Sequence, residues 1–508
     1  MSKTTGICYL VGAGPGDPGL MTLRGKECLE MADVVVYDYL SNPDFLRWAK
    51  PGAELIYAGK KSKDHAIPQG GINQLLVEKA KEGKVVTRLK GGDPLIFGRG
   101  GEEAEELRDA GVPFEIVPGI SSSIAGPAYA GIPVTHRAHC TQLTIFTGHE
   151  DPTKEESSLD YAQIAKAPGT KVMLMGVERL PIITAAILRE GGDPELPVAL
   201  VRWATTGQQR TLVGTLATIA EIAQRENFQA PAVAVFGTVV NCREKLNWFE
   251  ERPLRGKRVV VTRTRPQASG LARRLRELGA DVLEMPTIRI EPSQGEDLRE
   301  FARLVSEAHT YEWLIFTSPN AVEHFFETFY KFRSDAREIG GARIAAVGPG
   351  TAAKLKEYRM ATDLMPKKHV AEALAEAFLT EVGSIENTTM LWVRAKGARD
   401  VISKALNEAG VILDEAVAYQ TVPETGDPTG AVKRFREEGA DIITFTSAST
   451  VECFLDLGLS IPEGCRIASI GPVTSEAVVE NGYEVDLEAD EHDIPGLVAA
   501  VLELAKRG

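Results

Sequence analysis

The stretch "YLVGAGPGDPGL", Tyr9 to Leu20, sets a short apolar run against a turn dense in glycine and proline. A helical pattern resumes at about Thr22. Strand, glycine turn and helix make the opening unit of an α/β sheet and the usual setting for a phosphate loop. The spacing is not that of a dinucleotide loop, because Gly12, Gly14 and Gly16 are followed by Asp17 where G-x-G-x-x-G needs its last glycine. Pro15 and Pro18 lack the N–H groups a phosphate cradle uses, and Asp17 would set a negative charge beside any pyrophosphate. The turn is rigid and poorly made for phosphate.

More turns of this kind follow strand-like runs in the first half: "RLKGGDPLIFGRG" (88–100), "VPGISSSIAGPAYAGIPVTHR" (117–137) and "FTGHE" (146–150). Their glycines allow close backbone approach to a flat ligand, and their prolines hold the loops still. Gly91, Gly92 and Asp93 fall at a strand end. The Asp93 carboxylate there either accepts hydrogen bonds from a ribose or an ammonium group or caps the next turn. Asp38, in "VVVYDYL", ends a β-branched run, which makes it an acid/base candidate. Lys60, Lys61, Lys63 and His65 form a basic turn, readable as a solvated face or an anion site. Met175, in "VMLMG", reads by composition as core.

The second half repeats itself. "YEWLIFTSPNAVEHFF" (311–326) matches "ADIITFTSASTVECFL" (440–455), and "RIAAVGPGTAAKL" (343–355) matches "RIASIGPVTSEAV" (466–478). A fainter echo links 258–284 to 390–415. The copies lie roughly 125–130 residues apart. Strands alternating with amphipathic helices predict parallel α/β sheets, with a duplication giving two similar lobes. Thr317 and Ser318, Thr446 and Ser447, Thr351 and Thr474 fall at strand ends where helices begin. Each alone reads as a helix cap. Recurring in both copies, they also suit carboxylates or phosphates at helix N-termini. No nucleophilic triad order, zinc set or P-loop is present, so chemistry in this half would rest on orientation and hydrogen bonding.

At 508 residues the chain is too long for one core. The clearest boundary is the charged stretch "NWFEERPLRGK" (247–257), which predicts domains at 1–250 and 251–508. A net charge of −14 argues against nucleic acid or an anionic membrane surface as partner. Six cysteines without C-x-x-C pairs or zinc spacing read as thiols in a reducing compartment, and no metal site is expected. No leader-like or spanning segment is legible, which predicts a cytoplasmic protein.

The first half resembles S-adenosylmethionine-dependent uroporphyrinogen-III C-methyltransferases, on "VGAGPGDPGLMTLRG", "VVVYDYL", "RLKGGDPLIFGRGGEE", "VPGISSSIAGPAYAGIPVTHR", "RWATTGQQRTLVGTL" and "NCREKLNWFE". The second resembles uroporphyrinogen-III synthases over 256–505, on "VTRTRPQ", "FTSPNAV", "AVGPGTA", "AYQTVP" and "SIGPVTSEAV". The resemblance implies a methylase of two α/β subdomains and a synthase of two duplicated, doubly wound parallel α/β lobes. It implies S-adenosyl-L-methionine as donor, S-adenosyl-L-homocysteine as product, tetrapyrrole substrates and a homodimer through the methylase. By motif position it places Pro15, Gly91, Gly92, Asp93, Ile96, Ser121, Ser122, Met175 and Ala204 at the donor. Asp38 and Lys60 fall where the family has acid/base candidates. Tyr419 falls where the synthases have a candidate for assisting hydroxyl departure; read from the residues, it equally packs between lobes. Rival readings are a synthase half reduced to a holding module and a tetrapyrrole sensor without turnover.

Overall fold

The computed structural model describes residues 5–59, 67–149, 159–263 and 265–507. Its strands fall into five-stranded sheets, two before residue 250 and two after it. The first comprises β1 (Ile7–Gly12), β2 (Val34–Tyr37), β3 (Glu54–Tyr57), β4 (Val85–Lys90) and β5 (Phe114–Val117), all parallel, in the order β3-β2-β4-β1-β5. Apolar clusters cover both faces, which is why β1 and β2 read as unbroken apolar runs. The order places the C-terminal ends of β2, β4, β1 and β5 side by side, where parallel sheets bind ligands.

The second sheet comprises β6 (Leu143–Thr147), β7 (Thr170–Leu174), β8 (Pro197–Arg202), β9 (Arg210–Thr215) and β10 (Ala232–Phe236), in the order β6-β7-β10-β8-β9. Only β6 and β7 are parallel; the other pairings are antiparallel. Short returns such as that between β8 and β9 need no crossover helix.

The second half holds β11 (Arg258–Val261), β12 (Asp281–Glu284), β13 (Ile288–Pro292), β14 (Trp313–Phe316), β15 (Arg343–Ala346), β16 (Thr389–Ala395), β17 (Ile412–Pro423), β18 (Ile442–Phe445), β19 (Arg466–Ser469) and β20 (Leu487–Glu488). One lobe is β12-β11-β18-β19-β20, parallel throughout. The other is β13-β17-β16-β14-β15, parallel except for the antiparallel edge strand β13. Both lobes are the parallel α/β sheets expected, and β13 adds one antiparallel edge strand to the second. β13 enters the second lobe as β17 prepares to leave it, so the two crossover strands run in opposite directions.

The duplication is exchanged between lobes. The first copy gives β11 and β12 to one lobe and β14 and β15 to the other. The second copy gives β16 and β17 to the latter and returns β18 and β19 to the former. The orders β12-β11-β18-β19 and β17-β16-β14-β15 therefore coincide strand for strand.

The stretch between the halves is pinned rather than free. Glu250, 6% exposed, pairs with Arg243 and Arg255 and accepts from Gln209 and Thr211. Trp248 and Phe249 pack on Tyr129, with the Arg252 guanidinium over both rings.

Candidate active sites

Loops after β1, β4 and β5 meet at three glycines. A Cβ on Gly12 would lie 2.4 Å from Gly119 N, and one on Gly119 would lie 2.3 Å from Gly92 O. Gly14 and Gly92 exchange backbone hydrogen bonds, 3.1 and 2.8 Å, and both take positive φ, +71° and +70°. The approach calls for glycine at Gly12 and Gly119, and the left-handed backbone favours it at Gly14 and Gly92. Pro15 stands beside this knot, and Gly91 abuts Leu40 of the loop after β2.

Asp93 works within the knot. One carboxylate oxygen accepts from Leu95 N at 2.8 Å and Ile96 N at 3.2 Å, and the other from Gly119 N at 3.1 Å. It caps its own turn and clamps the neighbouring loop. Ser121 caps the helix Ser122–Tyr129, and its Oγ lies 2.8 Å from Ser123 Oγ. Asp17 is a staple: its N–H donates to Thr205 Oγ1 (3.0 Å) and its carboxylate accepts from Tyr129 Oη (2.8 Å). Burial and the Asp17 charge hold the Tyr129 phenol well above its ordinary range. Asp17 thus ties the first loop to the loop after β8.

Met175 is half-exposed at the end of β7, with φ +55°, which corrects the core reading by composition. Phe97, Arg99, Trp203 and Thr205 share its left-handed backbone. Such strain gathers where backbone must be aimed at a ligand. Tyr39, Leu95, Ile96 and Phe97 add exposed apolar surface. Ala204 is buried, its methyl over Gly126 of the helix Ser122–Tyr129.

Asp38 follows β2. Its Oδ1 accepts from Leu40 N, Ser41 N and Ser41 Oγ, each 3.1 Å away, which fixes the carboxylate. Oδ2 lies 3.5 Å from Arg88 Nη2, with the Asp38 side chain 25% exposed and that of Arg88 only 4%. Behind Arg88 is a cluster that the sequence reading missed. Glu103, wholly buried, receives Arg88 Nε at 3.2 Å, Lys90 Nζ at 2.8 Å and Gln69 Nε2 at 3.1 Å, all on Oε1. Burial pushes the Lys90 ammonium below its ordinary range; Arg88 adds to this and Glu103 opposes it. Lys60 and the rest of the basic turn, Lys61, Lys63 and His65, lie outside the described residues.

In the second half, Ser318 caps the helix Pro319–Phe332 and its Oγ is 2.9 Å from Tyr419 Oη. Tyr419 is 6% exposed, burial raises its phenol, and its ring stacks on His324. Its body packs in the second lobe while its hydroxyl reaches the strand end. Thr317 Oγ1 accepts from Trp392 Nε1 at 3.3 Å. Ser447 caps the matching helix Ala448–Asp456, with Thr446 half-buried before it. Thr351 and Thr474 differ from expectation. Each is the third residue of its helix and only 3% exposed, so both hydroxyls are sealed in their lobes as they stand. The turns before them are met by His369 and His492, each against a glycine, Gly348 and Gly471. This symmetric, exposed pair was also missed. The signal was a further echo, "HVAEAL" against "HDIPGL".

Residues 8–220 match the model of tetrapyrrole (corrin/porphyrin) methylases, and residues 269–499 that of uroporphyrinogen-III synthase HemD. A porphyrin biosynthesis protein HemD of Ruminiclostridium josui is 37% identical over 501 residues, 98% of either chain. The chain belongs to the family that joins a tetrapyrrole methylase to a uroporphyrinogen-III synthase domain. A uroporphyrinogen-III C-methyltransferase of Bacillus subtilis is 42% identical over 348 residues, 68% of this chain and 70% of that one. An S-adenosyl-L-methionine-dependent uroporphyrinogen III methyltransferase of Methanosarcina barkeri is 51% identical over 246 residues, 48% of this chain and 96% of that one.

Within the methylase half, the first sheet's loops bring Pro15, Asp38, Gly91, Gly92, Asp93, Ile96, Ser121 and Ser122 to one sheet end. Met175 and Ala204 come from the ends of β7 and β8 in the second subdomain. Within the synthase half, Ser318 and Tyr419 are joined directly, while Thr446 and Ser447 belong to the other lobe. Among the described residues no three His, Cys, Asp or Glu side chains could hold a metal, and no helix is long and apolar enough to cross a membrane.

Proposed function

We propose that the two halves, residues 1–250 and 251–508, run consecutive steps. The synthase half cyclises hydroxymethylbilane to uroporphyrinogen III with inversion of ring D. The methylase half then methylates that product at C2 and C7 with S-adenosyl-L-methionine, giving precorrin-2. The observation that carries the reading is the knot of Gly12, Gly92 and Gly119, with Asp38 at the next strand end. Gly12 and Gly119 let the loops pack backbone to backbone. The nearest atoms to a Cβ on Gly92 are 3.9 Å away, at Ser121 and Ser122, so the bare backbone at Gly92 has room beside it for a flat donor. The donor fits there by its chemistry. Backbone groups near Gly91, Gly92, Ser121 and Ser122 would hold its polar parts, and Ile96, Met175 and Ala204 would meet its apolar parts. Asp93 would act through the backbone it clamps.

When bound, the donor supplies a methyl group on a sulfonium sulfur, already electrophilic. The chain's task is to present the pyrrole carbon in line and to exclude other geometries. Exposed Tyr39, Leu95 and Phe97 suit the macrocycle's face. Asp38 Oδ2, the carboxylate oxygen away from the Leu40–Ser41 turn, would take the proton released as the ring rearranges. Lys60 would contact a substrate carboxylate or donate a proton, and the methylase halves would pair in a homodimer. In the synthase half, Tyr419 Oη with Ser318 would assist departure of the bilane hydroxyl as water.

The test is an anaerobic assay of the full chain on hydroxymethylbilane, with and without S-adenosyl-L-methionine. Uroporphyrinogen III without the donor and its dimethylated product with it support both steps. Isomer I, the spontaneous ring closure, would make the second half a holding module. Gly119→Ala is expected to weaken donor binding at least about tenfold and to cost about 1–3 kcal/mol of stability. Isothermal titration and urea unfolding check these. Tyr419→Phe is expected to slow cyclisation about ten- to hundredfold with methylation of supplied uroporphyrinogen III unchanged. An unchanged cyclisation rate would reduce Tyr419 to packing.

A further inference from the structure

The synthase half touches the methylase half at both ends of one strand. At the start of β12, Asp281 Oδ2 accepts from Gln208 Nε2 at 2.8 Å. The fit there is backbone to backbone, since a Cβ on Gly207 would lie 2.1 Å from Asp281 N. At the end of β12, Glu284 pairs with Arg47 and, at 2.7 Å, with Arg276 from the synthase helix Arg265–Glu277. Arg276 also pairs with Asp44, which lies 3.6 Å from Arg47. The cluster has two cations and two anions, and its side chains are 4–21% exposed. Burial works against the Arg276 charge, but Asp44 and Glu284 outweigh it and raise its value.

These contacts fall on two loops that each hydrogen-bond the first glycine turn, at Gly16 and at Asp17. Asp44 and Arg47 lie in the turn of helix Pro43–Trp48, directly after Asp38. Asn42 starts that turn, accepting from Asp44 N at 2.9 Å, and donates to Gly16 O at 2.7 Å. Gln208 lies in the loop that carries Ala204 and Thr205, and Thr205 holds Asp17. The first loop belongs to one methylase subdomain and the second to the other. A single synthase strand therefore spans the junction between them.

We propose that β12 and Arg276 form a brace that sets the separation of the two methylase subdomains, making Arg276 and Glu284 positioning residues for methyl transfer. This rests on the reading that the N-terminal half transfers methyl groups. Both subdomains supply donor contacts in that reading, so their spacing fixes the line of attack. Misplacement by about 1 Å costs a reaction of this kind about a hundredfold. The cluster suits a brace because it is nearly neutral and enclosed, and removing one member strands a buried opposite charge.

The test uses the full chain with uroporphyrinogen III supplied directly, so that methylation is read without the synthase step. Arg276→Met and Glu284→Gln are each expected to lower the methylation kcat about two- to thirtyfold. The KM for uroporphyrinogen III and the cyclisation rate from hydroxymethylbilane should stay within about twofold of wild type, and Arg276→Lys should recover most of the kcat. Unchanged methylation in both variants overturns the proposal. So does a parallel fall of methylation and cyclisation that lysine does not repair, which is the mark of a merely structural contact. Asp38→Asn, assayed alongside, keeps the readings apart. Full turnover by that variant removes the role of Asp38 and leaves the brace to be judged on Arg276 and Glu284.

Discussion

Asp38→Asn is expected to lower the methylation kcat by about a hundred- to ten-thousandfold while donor affinity stays within about threefold. The asymmetry follows from where the two carboxylate oxygens point. Oδ1 holds the Leu40–Ser41 turn through three hydrogen bonds, and an asparagine oxygen can accept all of them. The turn, and with it Asn42 and its bond to Gly16 O, should therefore survive. Oδ2 faces Arg88 and is the oxygen left to receive a proton. An amide there presents NH2 toward a guanidinium and cannot act as a base. Single-turnover methylation of supplied uroporphyrinogen III, with calorimetric donor titration, measures both halves of the claim. Donor affinity that fell with the rate would mean that Asp38 shapes the donor pocket instead.

The turns were legible in the sequence because glycine and proline have few uses. A run such as "VGAGPGDPG" in a strand–helix context has to be a close-approach loop, and its poor phosphate chemistry was readable from Pro15, Pro18 and Asp17. The partner of Asp17 was not, because Tyr129 and Thr205 are brought to it only by the packing of two subdomains. Asp93 illustrates the same limit: an acidic turn residue fits a cap or a ligand contact, and only the positions of Leu95, Ile96 and Gly119 show the cap. Met175 misled by composition, since nothing in "VMLMG" announces that the chain turns left-handed after Leu174. The synthase repeat was visible, but its exchange between lobes was not. β11 pairs with β18 across about 180 residues, and local periodicity carries no information about such partners. The buried cluster does leave a mark in the sequence. Arg88 and Lys90 are two apart in a strand flanked by β1 and β2, so both cations sit on one face of a central strand. Such a pair demands a buried anion.

That anion is Glu103, and its removal should strongly destabilise the methylase half. Glu103→Ala is expected to cost about 3–5 kcal/mol, read from the urea midpoint of the full chain's methylase transition. Glu103 sits in the first turn of helix Gly100–Asp109, where the helix N-terminus also favours its charge. Alanine would leave Arg88 and Lys90 facing each other across a dry interface, with Asp38 at 3.5 Å as the nearest remaining counter-charge to Arg88. The deficit should depend on pH. Lys90 already has a folded-state value below its unfolded one, so its protonated form costs stability, and that cost is relieved as pH rises through the folded-state value. Without Glu103 that value falls further, because the group that opposed the shift has gone. The gap between variant and wild type should therefore narrow as the buffer is taken alkaline, when Lys90 becomes a neutral amine needing no partner. A gap that stayed constant up to the pH where lysines lose their protons would place the loss in packing around the missing side chain rather than in the stranded charge. Glu103→Gln separates the two causes at a single pH: it keeps the volume and one acceptor for Lys90, so any loss it shows is the loss of charge.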